Sequence, residues 1–264
     1  MRADTLPSFR RVWRDHQRAL LIWSAALAAI AVFYMAFWPM MGEEMAAALE
    51  GMPEALMRAM GYDQVTTAEG YMQAVVYGLL GPVLVLIYGV GLGGRILAGQ
   101  EEDGTLELDL SSPVGRARLY WERFGAGWVL VTSLVVAVTV ALLVSGPLFS
   151  LGVDSGHILT TSVGLLLLGG GFFSVAFAVG AATGRRGAAV GAAAAFATVT
   201  FVFRGVADAA GVDVLAALSP FSWLLGNEPL VNGLALWDAV RLAAITLVAA
   251  PLGLLRFVRR DLMA

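Results

Sequence analysis

Six stretches of the chain stay apolar for roughly the 20 residues a helix needs to cross a hydrocarbon layer about 30 Å thick. They fall at 20–41, 71–97, 124–149, 158–183, 187–206 and 239–258. Ahead of the first, Leu6, Phe9, Val12, Trp13, His16 and Leu20 recur at helical spacing, while Arg10, Arg11, Arg14 and Arg18 cover the rest. That pattern predicts an amphipathic helix over 1–19 lying in the membrane interface, or else a short soluble extension of the first span. The first apolar run is longer than a signal-peptide core and no small-residue cleavage site follows it, so it reads as a retained span. Residues 20–264 then form one six-span domain. Between the first two spans, Met45, Leu49, Met52, Leu56 and Met60 predict a short amphipathic helix among six acids, Glu43, Glu44, Glu50, Glu54, Asp63 and Glu69. The segment 211–233 is apolar but broken by Pro220 and Pro229. It predicts a pair of short re-entrant helices rather than a span.

Composition sharpens this into an all-α integral membrane protein. Of 264 residues, 59% are hydrophobic and 14% charged, against roughly 25% charged in soluble domains; mean hydropathy is +0.78. The absence of Cys excludes disulfides and thiolate chemistry, and two histidines are too few for a histidine-built metal centre. All 17 basic residues are arginines. Without a Lys the chain holds no Walker A loop, whose Lys reaches the β/γ-phosphates, and no Schiff-base chemistry. The arginines also divide by side. Arg2, Arg10, Arg11, Arg14, Arg18, Arg95, Arg116, Arg118, Arg123, Arg185, Arg186, Arg256, Arg259 and Arg260 belong to one face, and only Arg58, Arg204 and Arg241 to the other. The positive-inside rule puts the fourteen, and both termini, in the cytoplasm. A bacterial inner membrane is the expected location.

Within the spans little chemistry is written. "GVGLGG" at 89–94 has the glycines of a dinucleotide loop but sits in an unbroken apolar span with no strand–turn–helix around it. It, "GAATG" (180–184) and "GAAVG" (187–191) read as small-xxx-small faces for close helix packing, within the subunit or across a dimer. Every Asp and Glu falls in a loop or at a span end, His157 has no nucleophile motif beside it, and Asp238 stands three positions before Arg241, its natural partner. Phe33, Tyr34, Phe37 and Tyr77 either line a substrate path or face lipid. No catalytic, cofactor or metal site is expected, and no nucleic-acid partner. Three function classes remain: a subunit driven by an external motor, a secondary carrier or channel not powered by ATP, and a membrane enzyme or scaffold.

One polar interruption separates these. "GQEEDGTLELDLSSPVGRARL" packs Glu101, Glu102 and Asp103 at the C-terminal end of the second span, where anions oppose the helix macrodipole. Gly104 can end that helix in a left-handed cap, Thr105 can open a short new helix through Leu110, and Ser112-Pro113 stops it. Leu106 and Leu110, one turn apart, give the short helix an apolar edge. By its physics alone the segment is a solvated connection or a rigid lever for a partner.

Its residues resemble the segment after the second span in ABC-2-type permeases, the membrane subunits of bacterial ATP-binding-cassette exporters. That pattern is an acidic run (Glu101–Asp103), Gly104-Thr105, a leucine-rich stretch (Leu106–Leu110, interrupted by Asp109), Ser112-Pro113, then Arg116 and Arg118. The interfacial N-terminal helix, the six spans and the "LSPF" at 218–221 fit the same architecture. The resemblance implies that 99–118 is a coupling segment received by a separate ATPase. It further implies two such ATPase subunits carrying ATP and Mg, a second permease, identical or paralogous, and a hydrophobic or amphipathic substrate such as a drug, an antibiotic or a lipid-like molecule, exported across the membrane.

Overall fold

The computed structural model describes residues 7–49, 67–105 and 115–260. Among them there is no strand, and six helices are long and apolar enough to cross a membrane. In chain order the elements are α1 (Pro7–Leu49), α2 (Ala68–Glu102), α3 (Arg116–Leu148), α4 (Ser155–Thr183), α5 (Arg186–Ala210), three short helices α6 (Asp213–Ala217), α7 (Pro220–Leu225) and α8 (Pro229–Asn232), and α9 (Leu236–Arg259).

The first element differs from the expectation of a separate interfacial helix over 1–19. Residues 7–49 form one continuous helix. Nothing between Ser8 and Trp38 is Gly or Pro, so no residue breaks the backbone where the interface would end. Part of the apolar face expected to lie in the membrane interface is buried in protein instead. Val12 and Leu20 are buried, and α1 runs alongside α3. The amphipathic helix expected over Met45–Met60 begins inside α1; its remainder lies outside the described residues.

Span α2 is not regular. Gln73–Leu80 and Arg95–Gly99 are π-helical, inside an otherwise α-helical rod. The first π stretch precedes Pro82, which has no N–H to give and would crowd the carbonyl four residues back in an α-helix. The Gly81 N–H reaches the Val76 carbonyl, five residues back, and a Cβ on Gly81 would stand 2.5 Å from that same oxygen. Such bulges recur where helices serve function.

Span α4 forms the centre. It touches α2, α3, α5 and α9, and 67% of its apolar window is buried, against 22% for α1 and 17% each for α5 and α9. In lipid there is no hydrophobic drive to press helices together, so contact depends on how close the backbones can come. The glycines of "GVGLGG" supply that closeness. A Cβ on Gly93 would stand 2.6 Å from the Phe173 carbonyl oxygen and 2.9 Å from the Ala176 Cβ, and one on Gly89 would stand 3.2 Å from the Gly169 oxygen. Gly180, from "GAATG", likewise packs on Ala98 and Ala189. Gly187 and Gly191 of "GAAVG" meet nothing within 4 Å. Of the three small-residue faces, then, two pack within the subunit and the third is open.

The segment 211–233 holds three short helices rather than two. Pro220 and Pro229 each open a helix at its first position, as their fixed φ allows. Phe221, Leu224, Leu225 and Leu230 are buried.

The α2–α4 contact makes a direct test. Gly93→Val should lower the thermal midpoint of the purified chain in detergent, by a destabilisation of about 1–3 kcal/mol from overpacking. Gly125→Val, at a helix position where a Cβ meets nothing within 4 Å, should leave the midpoint nearly unchanged. Equal midpoints for the two variants would contradict the packing described.

Candidate functional site

The polar segment after α2 lies at the arginine-rich end of the bundle, and its first part is well defined. Gln100–Glu102 continues the helix beyond the π turn, Asp103 caps it, and Gly104 adopts φ +66°. The Gly104 N–H reaches the Glu101 carbonyl (3.1 Å) and the Thr105 N–H reaches the Gln100 carbonyl (2.9 Å). This is the Schellman arrangement, which satisfies carbonyls a helix end leaves open. The Thr105 hydroxyl also donates to the Gln100 carbonyl (3.2 Å), so it closes the helix behind it. Asp103 and Gly104 are exposed. Leu106, Leu110, Ser112 and Pro113 lie outside the described residues.

The acids are not spread over a loop. Glu101 Oε2 accepts from Arg260 Nη2 at 2.5 Å, with the two side chains only 9% and 17% exposed. Glu102 Oε1 accepts from the backbone N–H of Arg186 (2.9 Å), the first residue of α5. A carboxylate there meets the positive end of the α5 dipole, so the anion that burdens the end of α2 stabilises the start of α5. The Arg260 carbonyl in turn accepts from Arg116 Nη1 at the start of α3 (2.8 Å). Gly184, at φ +69° between α4 and α5, leaves room for this junction. A Cβ on it would strike the Arg260 guanidinium and stand 2.6 Å from Glu101 Oε1.

A second group lies beside the first. Glu122 is 6% exposed; its Oε1 accepts from Arg118 Nε (2.8 Å) and its Oε2 from the backbone N–H of Ser8 on α1 (3.1 Å). Arg123, 1% exposed, donates from Nη1 to the Ile96 carbonyl (3.0 Å), within the π-helical stretch Arg95–Gly99. Five of the six spans are therefore joined at this end by charged groups: α1 to α3, α3 to α2, and α2 to α5 and to the residue that ends α9.

Of the expected site residues, Glu101, Glu102, Arg116 and Arg118 enter this network, while Asp103, Gly104 and Thr105 form the turn at its edge. Sequence reasoning missed Arg260, Arg186, Glu122, Arg123, Ser8 and Gly184. The third span was expected at 124–149; α3 begins at Arg116, so Glu122 and Arg123 stand inside the helix, one acid further from a span end than hydropathy suggests. An adjacent Glu-Arg pair at the foot of an apolar run was the available signal.

Elsewhere, the polar groups serve the scaffold. Asp154 caps α4 by accepting from the His157 N–H (2.9 Å), and His157 Nδ1 donates to the Leu230 carbonyl (3.0 Å). Asp238 pairs with Arg241 at 3.3 Å, as its spacing indicates. Tyr77, one of the candidate lining residues, is fully buried on Ser162 (2.7 Å); Phe33, Tyr34 and Phe37 are exposed.

The described residues form a six-helix membrane bundle whose helix ends are cross-tied at one face around a polar turn. Residues 9–262 match the ABC-2 family transporter protein family. The chain belongs to that family and is a membrane permease subunit of an ABC transporter. No curated protein matches it.

Breaking the tie between α2 and the residue after α9 should be measurable. Arg260→Gln should destabilise the detergent-solubilised chain by about 1–3 kcal/mol, between the values for exposed and fully buried pairs. The exchange Glu101→Arg with Arg260→Glu should recover part of the loss. Melting curves would check both, and an exchange no better than the single variant would speak against the pair.

Proposed function

We propose that this permease exports a hydrophobic or amphipathic compound, driven by ATP hydrolysed on two separate cassette subunits that receive the segment 99–118. The observation that carries this reading is the anchoring of Glu101 and Glu102. The acidic foot of the segment is tied to α5 and to the residue following α9, so force applied to the turn reaches several spans at once. A solvated connection has no need of such ties. The chain has no Lys with which to build its own Walker A loop, which agrees with a motor on another polypeptide; ATP and Mg are bound there. The arginines that the described residues gather at this end favour a cytoplasmic position, the side on which ATP is available. Both termini and the segment then face the cytoplasm of a bacterial cell.

At the opposite end a cleft of about 330 Å³ opens between α2, α5 and α7, lined by Gln73, Phe201, Arg204 and Leu225 among others. Its mixture of apolar walls and a few polar groups suits an amphipathic passenger better than an ion. A second permease, identical or paralogous, completes the transporter, and the exposed face of α5 that carries Gly187 and Gly191 is where close approach costs least.

The test is co-purification of the tagged chain with its cassette ATPase from native membranes, with the hydrolysis rate measured in the complex. Asp103→Arg with Leu106→Asp changes the turn without touching the Glu101 and Glu102 ties. It should keep the melting midpoint but lose the ATPase, with at least about a tenfold fall in recovered ATPase for about 1.4 kcal/mol of lost contact. Undiminished capture by that variant would remove the segment from the interface. Absence of any ATPase with the intact chain would favour a carrier not powered by ATP.

A further inference from the structure

At the arginine-rich end, beside the junction of α2 and α5, a cleft of about 230 Å³ runs between α1, the second half of α2 and the start of α5. Its rim carries His16, Arg95 and Arg186, and its depth Trp23, Ile87 and Tyr88. The order is the same on both long helices. His16 and Trp23 on α1, and Arg95 and Tyr88 on α2, are each seven residues apart, so the aromatic level lies about 10 Å further into the bundle than the basic rim. That is the layering of a phospholipid, charged at the head and apolar below.

The basic rim is built, not scattered. Arg95 Cγ and Arg186 Cδ lie 3.5 and 3.8 Å from the point where a Cβ on Gly99 would stand, so the two stems converge over one glycine. Among the described residues neither guanidinium has a carboxylate within ion-pair distance. The nearby acid, Glu102, spends its contact on the Arg186 backbone N–H. His16 Nδ1 donates to the Val12 carbonyl (2.9 Å), which leaves Nε2 as an acceptor for a headgroup hydroxyl. Deeper in, Tyr88 is 7% exposed and its ring lies 6.0 Å from that of Trp23, yet its hydroxyl has no hydrogen-bond partner among the described residues. A buried hydroxyl without a partner is uncommon, and here it lines a cleft with converging cations above it. Ile87 is 55% exposed, so the cleft opens sideways towards lipid.

We propose that this cleft binds the headgroup of an anionic phospholipid from the leaflet at the arginine-rich end. The phosphate sits between Arg95 and Arg186, the Tyr88 hydroxyl donates to an ester oxygen of the glycerol region, and an acyl chain leaves along Ile87. The volume suits a headgroup and its first carbons, being below the roughly 300–1,000 Å³ of sites that enclose a whole drug-sized ligand. The site does not depend on the ATPase reading.

Trp23 provides the readout. The purified full chain would be titrated in detergent with phosphatidylglycerol brominated on its acyl chain, and separately with brominated phosphatidylcholine. The quenching lost in a Trp23→Phe background isolates the cleft. Quenching at Trp23 should favour the anionic lipid. Arg95→Gln with Arg186→Gln should weaken that preference about 25-fold, or about fivefold per arginine near a membrane surface. Tyr88→Phe should weaken binding of both lipids several-fold and leave the preference between them, with an unchanged melting midpoint, since its hydroxyl has no partner to lose among the described residues. Gly91→Phe keeps every charge and fills the cleft from a position where a Cβ meets nothing within 4 Å; it should abolish quenching at Trp23. Equal quenching by the two lipids would overturn the proposal, as would a stable Gly91→Phe chain with intact preference. Full displacement of the lipid by inorganic phosphate would also overturn it, marking a site for free anions.

Discussion

A helix ending in three acids is electrostatically frustrated, because its last carbonyls already present partial negative charge. The arrangement of the arginine-rich end depends on how that frustration is relieved. Glu101 is neutralised by Arg260 from just beyond the last span, and Glu102 is placed at the positive end of α5. Each relief crosses a large sequence separation, so a local electrostatic problem becomes a tertiary constraint on where α5 and α9 must end. Gly184 belongs to the same solution. A side chain there would occupy the junction, and its left-handed backbone suits only Gly without strain.

The middle of the bundle follows a different constraint. Apolar side chains gain nothing by leaving lipid for one another, so a stable bundle needs shape and closely approaching backbones. Gly89 and Gly93 against α4 meet that need, and so does Gly253, where a Cβ would stand 2.6 Å from the Tyr120 hydroxyl and 2.7 Å from the Ala178 Cα. The Tyr120 hydroxyl then reaches the Ala250 carbonyl at 2.7 Å, satisfying a buried polar group next to Pro251 on α9. The consequence is a dense centre around α4 and thinly covered outer helices. Faces of α1, α5 and α9 remain for lipid or for another subunit.

These two constraints explain what was legible beforehand. Hydropathy registers the solvent, so the number of spans and their approximate places were readable from apolar runs alone. The left-handed turn at Gly104 was also readable, because a turn is decided by its own few residues. Helix continuity was not. The arginines before Leu20 indicate a water-facing surface but say nothing about a bend, and with no Gly or Pro the rod simply continued. Nor were the partners of the acidic run legible. Glu101 and Arg260 are 159 positions apart, and in a chain with 17 arginines charge alone selects none of them. The π-helical turns of α2 were hinted at by Pro82 and the nearby glycines, yet a glycine in a span serves packing as often as backbone register.

Under the coupling role proposed for the segment 99–118, rigidity at its foot decides whether a distant push becomes motion of the spans. Were the turn at Gly104 joined to α2 alone, displacement would be absorbed by local bending, most readily at the π-helical stretch Arg95–Gly99, where the α-helical ladder is interrupted. Arg123 resists this by holding the Ile96 carbonyl from the side. The Glu101 and Glu102 contacts then pass the load to the ends of α9 and α5, whose apolar windows are each only 17% buried in the bundle.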